Sequence, residues 1–221
     1  MDTYLVTGAN RGIGLEYCRQ LKEKGSKVIA VCRSAADELK NLGVSVKTDV
    51  DITSDESVAE LVKSLDGQLI DVLINNAGIL EPVGLNRLDL NSIRRQFEVN
   101  ALAPLRLTQA LLPNLKRGSK IALMTSRMGS IEDNTSGGSY GYRMSKVALS
   151  MAGKSLSQDL KAKGIAVAIL HPGLVKTRMT GFTDSGITPE QSVKGLLARI
   201  AALNLENTGT FWHSNGEVLP W

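Results

Sequence analysis

Cysteines and long apolar runs are scarce in this sequence, and each scarcity excludes a class of protein. Only two cysteines occur among the 221 residues, at Cys18 and Cys32. We therefore expect no disulfide framework and a reducing compartment, as in a cytoplasmic protein. The first residues lead directly into an apolar strand, without the charged and apolar regions of a signal peptide. The apolar run 165–170 is too short to span a membrane, so we expect no membrane partner.

Concentrated positive charge is also absent. The 26 basic and 22 acidic residues leave a formal net charge of +4, with no basic block and no basic stripe interleaved with aromatic residues. This distribution argues against nucleic acid as a partner. It suits a phosphorylated small ligand and an ordinary solvated surface equally well. No cluster of cysteine, histidine and aspartate has metal-ligand spacing, so we predict no metal site.

Apolar runs typical of buried strands alternate with helical segments along the whole chain. The predicted strands are Tyr4–Thr7, Lys27–Cys32, Val44–Thr48, Leu69–Asn75, Lys120–Thr125, Ile165–His171 and Gly209–Trp212. The predicted helices are Ile13–Lys24, Ala35–Asn41, Ser54–Leu65, Asn91–Lys116, Ser139–Lys163 and Pro189–Leu203. This alternation predicts an α/β fold with a doubly wound parallel sheet (a Rossmann fold), helices on both faces, and one domain over residues 1–221. The carboxyl ends of its strands should carry the site.

A glycine-rich turn follows the first predicted strand and opens the first predicted helix. It runs from Thr7 to Gly14, with glycines at positions 8, 12 and 14. Glycine lets the backbone turn sharply and lets a pyrophosphate approach main-chain N–H groups at the start of a helix. The turn indicates a dinucleotide site, although a plain strand–turn–helix connection would give the same local pattern.

A basic residue follows the second predicted strand, at the position where NAD-binding folds have an acidic residue. That acid contacts the adenosine ribose, whereas an arginine accommodates the additional phosphate of NADP. Arg33 follows this strand, and Arg11 in the glycine turn can reach the same place. Two guanidinium groups can bind one phosphate through charge-assisted hydrogen bonds. We therefore predict NADP(H) as the preferred cofactor, with NAD(H) as the alternative.

Tyr142 and Lys146 are four residues apart in a predicted helix and therefore share one face. A tyrosine with its ordinary pKa of about 10 is a poor acid or base at neutral pH. An adjacent ammonium group favours the phenolate, so we expect Lys146 to lower the pKa of Tyr142. Ser126, at the end of the fifth predicted strand, can hold a carbonyl oxygen. The Tyr–Lys spacing alone occurs by chance on many surface helices. Ser126 at the adjacent strand end strengthens the prediction that Tyr142 and Lys146 belong to a catalytic site.

Two further segments belong to the same predicted edge of the sheet. Asn75-Asn76-Ala77-Gly78 ends the fourth predicted strand, where amides can bond backbone and small residues leave room for a flat ligand; a simple turn is the alternative. Asn100 lies four residues before Pro104, which cannot donate to its carbonyl. We expect a kink there and a free carbonyl that can hold water linked to Lys146, unless the kink serves packing alone.

Together these residues resemble the short-chain dehydrogenase/reductase family over nearly the whole chain. The matching motifs are Thr7-Gly8-x3-Gly12-Ile13-Gly14, Asp49-Val50, Asn75-Asn76-Ala77-Gly78, Asn100, Ser126, Tyr142-x3-Lys146 and Pro172-Gly173-x-Val175-x-Thr177. The resemblance implies hydride transfer between NAD(P)H and a carbonyl carbon. It implies catalytic roles for Tyr142 as proton donor, Ser126 in orienting the carbonyl, Lys146 in binding ribose and tuning Tyr142, and Asn100 in a water relay.

The resemblance also implies a set of cofactor contacts. They involve Gly8, Asn10, Arg11, Gly12, Ile13, Gly14, Arg33, Asp49, Val50, Asn75, Ala77, Gly78, Tyr142, Lys146, Pro172, Gly173, Val175 and Thr177. Among these, Asp49 would contact adenine through its carboxylate and Val50 through its backbone. Thr177 would contact the nicotinamide carboxamide.

Within the family, the chain is similar to small carbonyl reductases and to C-factor-like proteins, through Thr125–Ser130, Asn134–Gly138 and the Leu219-Pro220-Trp221 ending. Two functions follow. The first is an NADPH-dependent reductase of aldehydes, ketones or quinone-like carbonyls. The second is a signalling or regulatory protein that binds NAD(P)(H) with little turnover. The complete set of four catalytic candidates favours the enzyme.

The chain also departs from the family pattern. Ser126 precedes Tyr142 by 16 residues and Ser130 precedes it by 12, which is nearer the usual spacing. We favour Ser126 because it follows the strand directly, which places the extra residues in the loop 134–138. Little chain separates Thr177 from Pro189, so we expect an open substrate pocket.

Two weaker features complete the sequence analysis. His171 is expected to be a hydrogen-bonded structural residue. Ala148, Ala152 and Ser155 form a small-residue face that suits packing within the subunit or a homo-oligomer.

Overall fold

Seven strands form one sheet, and their order shows how the chain winds. The computed structural model describes residues 1–221. The strands are β1 (Thr3–Thr7), β2 (Lys27–Val31), β3 (Ser45–Lys47), β4 (Ile70–Asn75), β5 (Leu115–Met124), β6 (Ala166–His171) and β7 (Phe211–His213). Their order is β3-β2-β1-β4-β5-β6-β7, and every neighbouring pair is parallel. The winding reverses between β1 and β4, whose carboxyl ends therefore flank the crevice where such folds bind ligands.

Helices cover both faces of the sheet. They are α1 (Gly12–Glu23), α2 (Asp37–Asn41), α3 (Asp55–Ser64), α4 (Leu90–Phe97), α5 (Ala103–Ala110), α6 (Tyr140–Asp159) and α7 (Pro189–Ala202). Neighbouring β1 residues Val6 and Leu5 belong to separate apolar clusters of 22 and 21 buried residues. The first cluster contains side chains of α1 and α7, and the second contains side chains of α3, α5 and α6. The expected doubly wound sheet is confirmed.

The predicted long helix 91–116 is wrong in its extent. The chain forms α4, a π-helical turn at Glu98–Leu102, and then α5. Pro104 stands in the first turn of α5, where its missing N–H costs no hydrogen bond. The interruption expected from Pro104 therefore takes the form of a π turn. Beyond Ala110 the chain is already leaving the helix, and β5 begins at Leu115, five residues before the predicted strand.

None of the helices combines the length and the apolar character that a bilayer crossing requires. The described residues also contain no group of three His, Cys, Asp or Glu side chains placed to hold a metal ion. The absence of a metal stays a prediction.

Candidate active site

The glycine turn packs closely against the backbone around it, and it leaves the start of α1 without a side-chain cap. Gly8 and Gly12 adopt φ values of 64° and 54°, which are accessible to glycine at little cost. A Cβ on Gly14 would lie 2.1 Å from the carbonyl oxygen of Gly8, so this position also excludes larger residues. No side chain caps the start of α1, and its first turn contains no acid. The N–H groups and dipole at this helix start are therefore available to an anion.

Thr7 and Asn76 join the glycine turn to the end of β4. Thr7 Oγ1 accepts hydrogen bonds from the N–H of Asn76 at 3.0 Å and of Ala77 at 3.1 Å. Asn76 Nδ2 donates to the Thr7 carbonyl at 2.9 Å. Asn75 instead is buried and donates to Thr108 Oγ1 of α5 at 3.2 Å. Since successive strand residues point to opposite faces, only one of two adjacent asparagines can face the glycine turn. The predicted set contained Asn75 and lacked Asn76.

Arg11 and Arg33 are both exposed, and neither is part of an ion pair. Asp49 is also exposed, with a φ of 60°, and its N–H donates to the Arg33 carbonyl at 3.1 Å. The N–H of Val50 donates to the Cys32 carbonyl at 3.3 Å. The protein itself therefore already uses the backbone donor of Val50, and an adenine contact through that N–H would have to share it.

Ser126, Tyr142 and Lys146 meet at the carboxyl end of β5. Ser126 Oγ accepts from the N–H of Met128 at 3.1 Å, and the Ser126 hydroxyl lies close enough to the Tyr142 phenol to lower its pKa. Lys146 Nζ lies 5.5 Å from the centroid of the Tyr142 ring and donates to the Met124 carbonyl at 2.8 Å. All three catalytic candidates are buried. The structure thus brings together an acid, a hydroxyl group and an ammonium group.

Burial is the main cause of the shifted pKa values of Tyr142 and Lys146. Burial raises the pKa of Tyr142 to about 12, and the Ser126 hydroxyl only partly offsets that effect. Burial lowers the pKa of Lys146 to about 8. The net pKa of Tyr142 is therefore raised, not lowered as expected, because burial outweighs the ammonium of Lys146, which bonds a carbonyl and lies over the ring. Tyr142 holds its proton at neutral pH and can donate it.

Thr125, which the predicted site did not include, ties α6 to β5. Its Oγ1 donates to the Lys146 carbonyl at 2.9 Å and shares a hydrogen bond of 2.9 Å with Ser150 Oγ. Gly129 lets the loop after β5 lie close to the backbone of α6, because a Cβ there would lie 2.8 Å from the carbonyl carbon of Lys146. The sequence signal for Thr125 is its place: it is a polar residue at the end of an apolar strand, directly before Ser126. That place could have predicted that it joins α6 to β5.

Asn100 lies in the π turn, where its side chain is completely buried. Nδ2 donates to the Ile79 carbonyl at 2.9 Å and to Ser145 Oγ at 3.0 Å, while Oδ1 accepts from the Ile79 N–H at 2.8 Å. A Cβ on Gly78 would lie 3.1 Å from Asn100 Oδ1 and 3.4 Å from Lys146 Nζ. Asn100 and Lys146 therefore border the same point, beside the backbone of Gly78.

Ser130 is engaged elsewhere. Its hydroxyl donates to the Trp221 carbonyl oxygen at 3.0 Å and accepts from the Asp133 N–H at 3.1 Å. Only 3% of Ser130 is exposed. Both roles of this hydroxyl are thus occupied, which favours Ser126 as the serine that faces a substrate.

The loop after β6 reaches the glycine turn. A Cβ on Gly12 would lie 3.5 Å from Cγ2 of Thr177, so these two predicted cofactor residues are close together. The Pro172 carbonyl accepts hydrogen bonds from Ser192 and Ser214, and Gly173 has a φ of 86°. Beyond Val175, which is buried, the loop exposes large apolar side chains at Met179 and Phe182.

His171 differs from the expected hydrogen-bonded histidine. Its Nδ1 atom is buried and has no hydrogen-bond partner. Its ring makes an edge contact with His213 at 4.9 Å between centroids. Burial, followed by repulsion from His213 and Arg127, lowers the pKa of His171 to about 3.

Comparison with known proteins agrees with this architecture. A family model described as short chain dehydrogenase matches residues 2–187. The 1-hydroxy-2-glutathionyl-2-methyl-3-butene dehydrogenase of Rhodococcus sp. is 43% identical over 226 residues, covering 100% of both chains. The C-signal of Myxococcus xanthus is 46% identical over 155 residues, covering 69% of this chain and 93% of its own. The NADPH-bound carbonyl reductase from chicken fatty liver superposes with a TM-score of 0.92 at 31% identity, covering 100% of this chain and 99% of that one. The chain therefore belongs to the short-chain dehydrogenase/reductase family.

Proposed function

We propose that this protein is an NADP(H)-dependent oxidoreductase that interconverts a carbonyl compound and its alcohol. The carbonyl substrate is an aldehyde, a ketone or a quinone-like compound. The observation that carries the proposal is the buried group of Ser126, Tyr142 and Lys146, with Asn100 beside the lysine. A protein that only binds a dinucleotide has no physical need for this arrangement.

The residues of the crevice fit the proposed cofactor. The uncapped start of α1 offers N–H groups to a pyrophosphate, and no acid repels it there. Arg11 and Arg33 are exposed and unpaired, as two groups that receive a further phosphate should be. When bound, the nicotinamide supplies or accepts the hydride. The NADPH in the chicken carbonyl reductase structure supports the same choice.

The proposed mechanism of reduction assigns one task to each side chain. Ser126 Oγ accepts from the Met128 N–H, which leaves the serine proton free for the substrate oxygen. Tyr142 donates its proton to that oxygen as the carbonyl carbon gains hydride, so the product is the alcohol. The ammonium of Lys146, over the tyrosine ring, stabilises the phenolate that remains. Asn100 fixes the backbone beside Lys146, where water can return the proton.

The first test measures NADPH consumption with aldehydes, ketones and quinones. Tyr142→Phe removes the proposed acid, and we expect kcat to fall by about 100-fold or more, since positioned proton transfer contributes that much. Tyr140→Phe is the matched control, because this tyrosine lies two residues away and has no lysine four residues later. A Tyr142→Phe variant with full turnover would exclude the proposed mechanism.

A parallel assay in the oxidative direction should follow the reduction of NADP⁺ by a hydroxyalkyl conjugate of glutathione. The Rhodococcus relative is named for the oxidation of such an alcohol and matches this chain over its full length. The second candidate function, a regulatory protein that binds NAD(P)(H) with little turnover, is favoured by the similarity to the C-signal. Tight NADPH binding without turnover of any compound in the panel would support that candidate.

Three further assignments complete the proposal. We propose one domain over residues 1–221 and a cytoplasmic location. The small-residue face of α6 allows a homo-oligomer, although Ala148 on this face packs against the core of its own subunit. The free and buried cysteines Cys18 and Cys32 support a reducing compartment. Sedimentation of the purified protein tests the oligomeric state directly.

A further inference from the structure

The segment Val218–Trp221 returns from β7 to the region of the proposed active site. Its Leu219 N–H donates to the Phe211 carbonyl at 2.8 Å, and the Leu219 side chain is 3% exposed in a small cluster with Phe211 and Ile169. The Trp221 ring stacks on Phe211 with 5.5 Å between centroids and 27° between planes. These contacts hold Trp221 firmly against the edge of the sheet.

Trp221 in turn holds the loop that follows Ser126. Its carbonyl oxygen accepts three hydrogen bonds, from Ser130 Oγ at 3.0 Å and from the N–H groups of Ile131 and Glu132 at 2.9 Å each. The same Ser130 hydroxyl accepts a hydrogen bond from the Asp133 N–H at 3.1 Å, which connects Asp133 to Trp221 through Ser130. We call the Ser130–Trp221 contact the latch.

Ion pairs reinforce the latch. The guanidinium of Arg127 lies 2.6 Å from the Asp133 carboxylate and 3.6 Å from the Glu217 carboxylate. Arg127 directly follows Ser126, and Glu217 directly precedes the segment 218–221. These pairs are partly exposed and contribute little energy by themselves. The Arg127–Glu217 pair joins the loop to the residue before the segment 218–221, whereas the Arg127–Asp133 pair lies within the loop.

Arg143 fixes the other end of the same loop. Its guanidinium donates to the Gly137 carbonyl at 3.2 Å, to Ser136 Oγ at 2.8 Å and to the Met128 carbonyl at 3.2 Å. Arg143 directly follows Tyr142 in α6. The loop 130–138 is therefore tied at its start to Trp221 and at its end to the residue beside Tyr142.

We propose that Ser130 and Trp221 are positioning residues, which hold Ser126 at its working distance from Tyr142. The inference rests on the proposed function. Only one 3₁₀ turn, Arg127–Gly129, separates Ser126 from the latch. Fifteen residues lie between Ser126 and Tyr142, and without the latch the first part of this connection loses its hydrogen bonds to Trp221. A displacement of about 1 Å of a reacting group can cost about 100-fold in rate.

The kinetic test compares Trp221→Ala with Trp221→Phe, which keeps an aromatic ring for stacking on Phe211. We expect Trp221→Ala to lower kcat by about 10- to 100-fold while leaving the NADPH dissociation constant within about twofold of the wild type. Trp221→Phe should restore most of kcat. Tyr4→Ala is the control, because it removes a half-buried ring from β1, which lies four strands away from β7 in the sheet. Unchanged kcat in folded Trp221→Ala would overturn the proposal.

A second measurement needs no substrate. Amide hydrogen exchange in the peptide that contains Ile131 and Glu132 should be slow in the wild type and about 10-fold faster or more in Ser130→Ala and Trp221→Ala. Exchange in Tyr4→Ala should match the wild type there. Unchanged exchange in both latch variants would overturn the proposal even if their activity falls. A wild type that turns over no carbonyl would instead refute the proposed function, and exchange alone would then decide whether the latch exists.

Discussion

At the scale of single residues, burial has the largest effect on the proposed chemistry. Tyr142 and Lys146 are neighbours, yet burial moves their pKa values to about 12 and about 8. Low-polarity surroundings disfavour the charged form of each group. The neutral phenol is the form that a proton donor needs, and the lysine still carries most of its charge at neutral pH.

The pH dependence of carbonyl reduction should report on Lys146. Its pKa is lowered from 10.5 to about 8, so the ammonium is present below pH 8 and is lost above it. We expect kcat/KM for reduction to be constant below about pH 8 and to decline above it, because the developing phenolate loses its cation. Lys146→Arg, which stays charged, should lack this decline even at a lower rate. A wild-type profile that stays flat well above this pKa would contradict the role of Lys146.

The stability of the protein should report on His171. Its pKa is about 3 in the folded state and 6.5 when unperturbed, so only the unfolded chain takes up the proton between these values. Stability is therefore fully present above pH 6.5 and decreases as the pH falls toward 3, by up to about 1.4 kcal/mol per pH unit. His213, whose pKa is also lowered, contributes in the same direction.

The measurement is urea unfolding between about pH 7 and pH 5, above the range in which most carboxylates titrate. His171→Gln should show a smaller pH dependence than the wild type, and His213→Gln serves as the comparison for the second ring. If His171→Gln keeps the full wild-type slope, the buried neutral imidazole is not its source.

At the scale of structural elements, two loops that leave neighbouring strands bring Arg11 and Arg33 to one rim. The loop after β1 carries Arg11, and the loop after β2 carries Arg33. Neither guanidinium group forms an ion pair, so both are available to a bound phosphate.

Replacing both arginines by alanine should lower the preference for NADPH over NADH by about 100- to 10,000-fold, if each charged hydrogen bond contributes about 1.5–3 kcal/mol. The ratio of kcat/KM with NADPH to kcat/KM with NADH measures this preference. Lys22→Ala with Lys24→Ala is the matched control, because it removes two exposed charges at the other end of α1. An unchanged ratio in the arginine variant would contradict the phosphate assignment.

The packing of α6 on α4 depends on a glycine that the sequence analysis did not single out. A Cβ on Gly141 would lie 2.5 Å from Nε2 of Gln96 and 3.2 Å from Cα of Ile93. Gln96 is completely buried and hydrogen-bonds the Glu81 backbone in both directions, so it cannot move away freely.

Gly141→Ala should therefore reduce the free energy of unfolding by about 1–3 kcal/mol, the usual cost of overpacking, and should also lower kcat because Tyr142 follows directly. Gly84→Ala is the control, with open space around the added methyl group and a negative φ of −100°. Denaturant unfolding of the two variants measures the difference. Equal stability of both would show that α4 and α6 separate at little cost.

At the scale of the whole molecule, the alternation of apolar runs and helical segments correctly predicted the sheet and its seven strands. The errors lie where local pattern is ambiguous. The start of β5 contains the polar stretch Lys116–Ser119, which has the pattern of a helix end or a loop. In the sheet this stretch is an irregularity between two paired positions, because Leu115 pairs with Ile70 and Lys120 with Val72 of β4. Similarly, Pro104 predicts an interruption of the helix, but the form that it takes, a π turn whose Asn100 side chain donates to Ser145 Oγ of α6, is visible only in the tertiary structure.

The sequence by itself determined the features that depend on local geometry. The spacing of Tyr142 and Lys146 places both on one helix face, and the glycines between Gly8 and Gly14 determine a turn that opens a helix. These follow from backbone periodicity and steric limits within a few residues.

Only the tertiary structure decided the features that depend on burial or on distant partners. It decided that Asn76 rather than Asn75 joins the glycine turn, that burial raises the pKa of Tyr142, and that Ser130 contacts Trp221. The physical reason is that solvent exclusion and contacts between residues far apart in the chain arise only when the helices pack on the sheet.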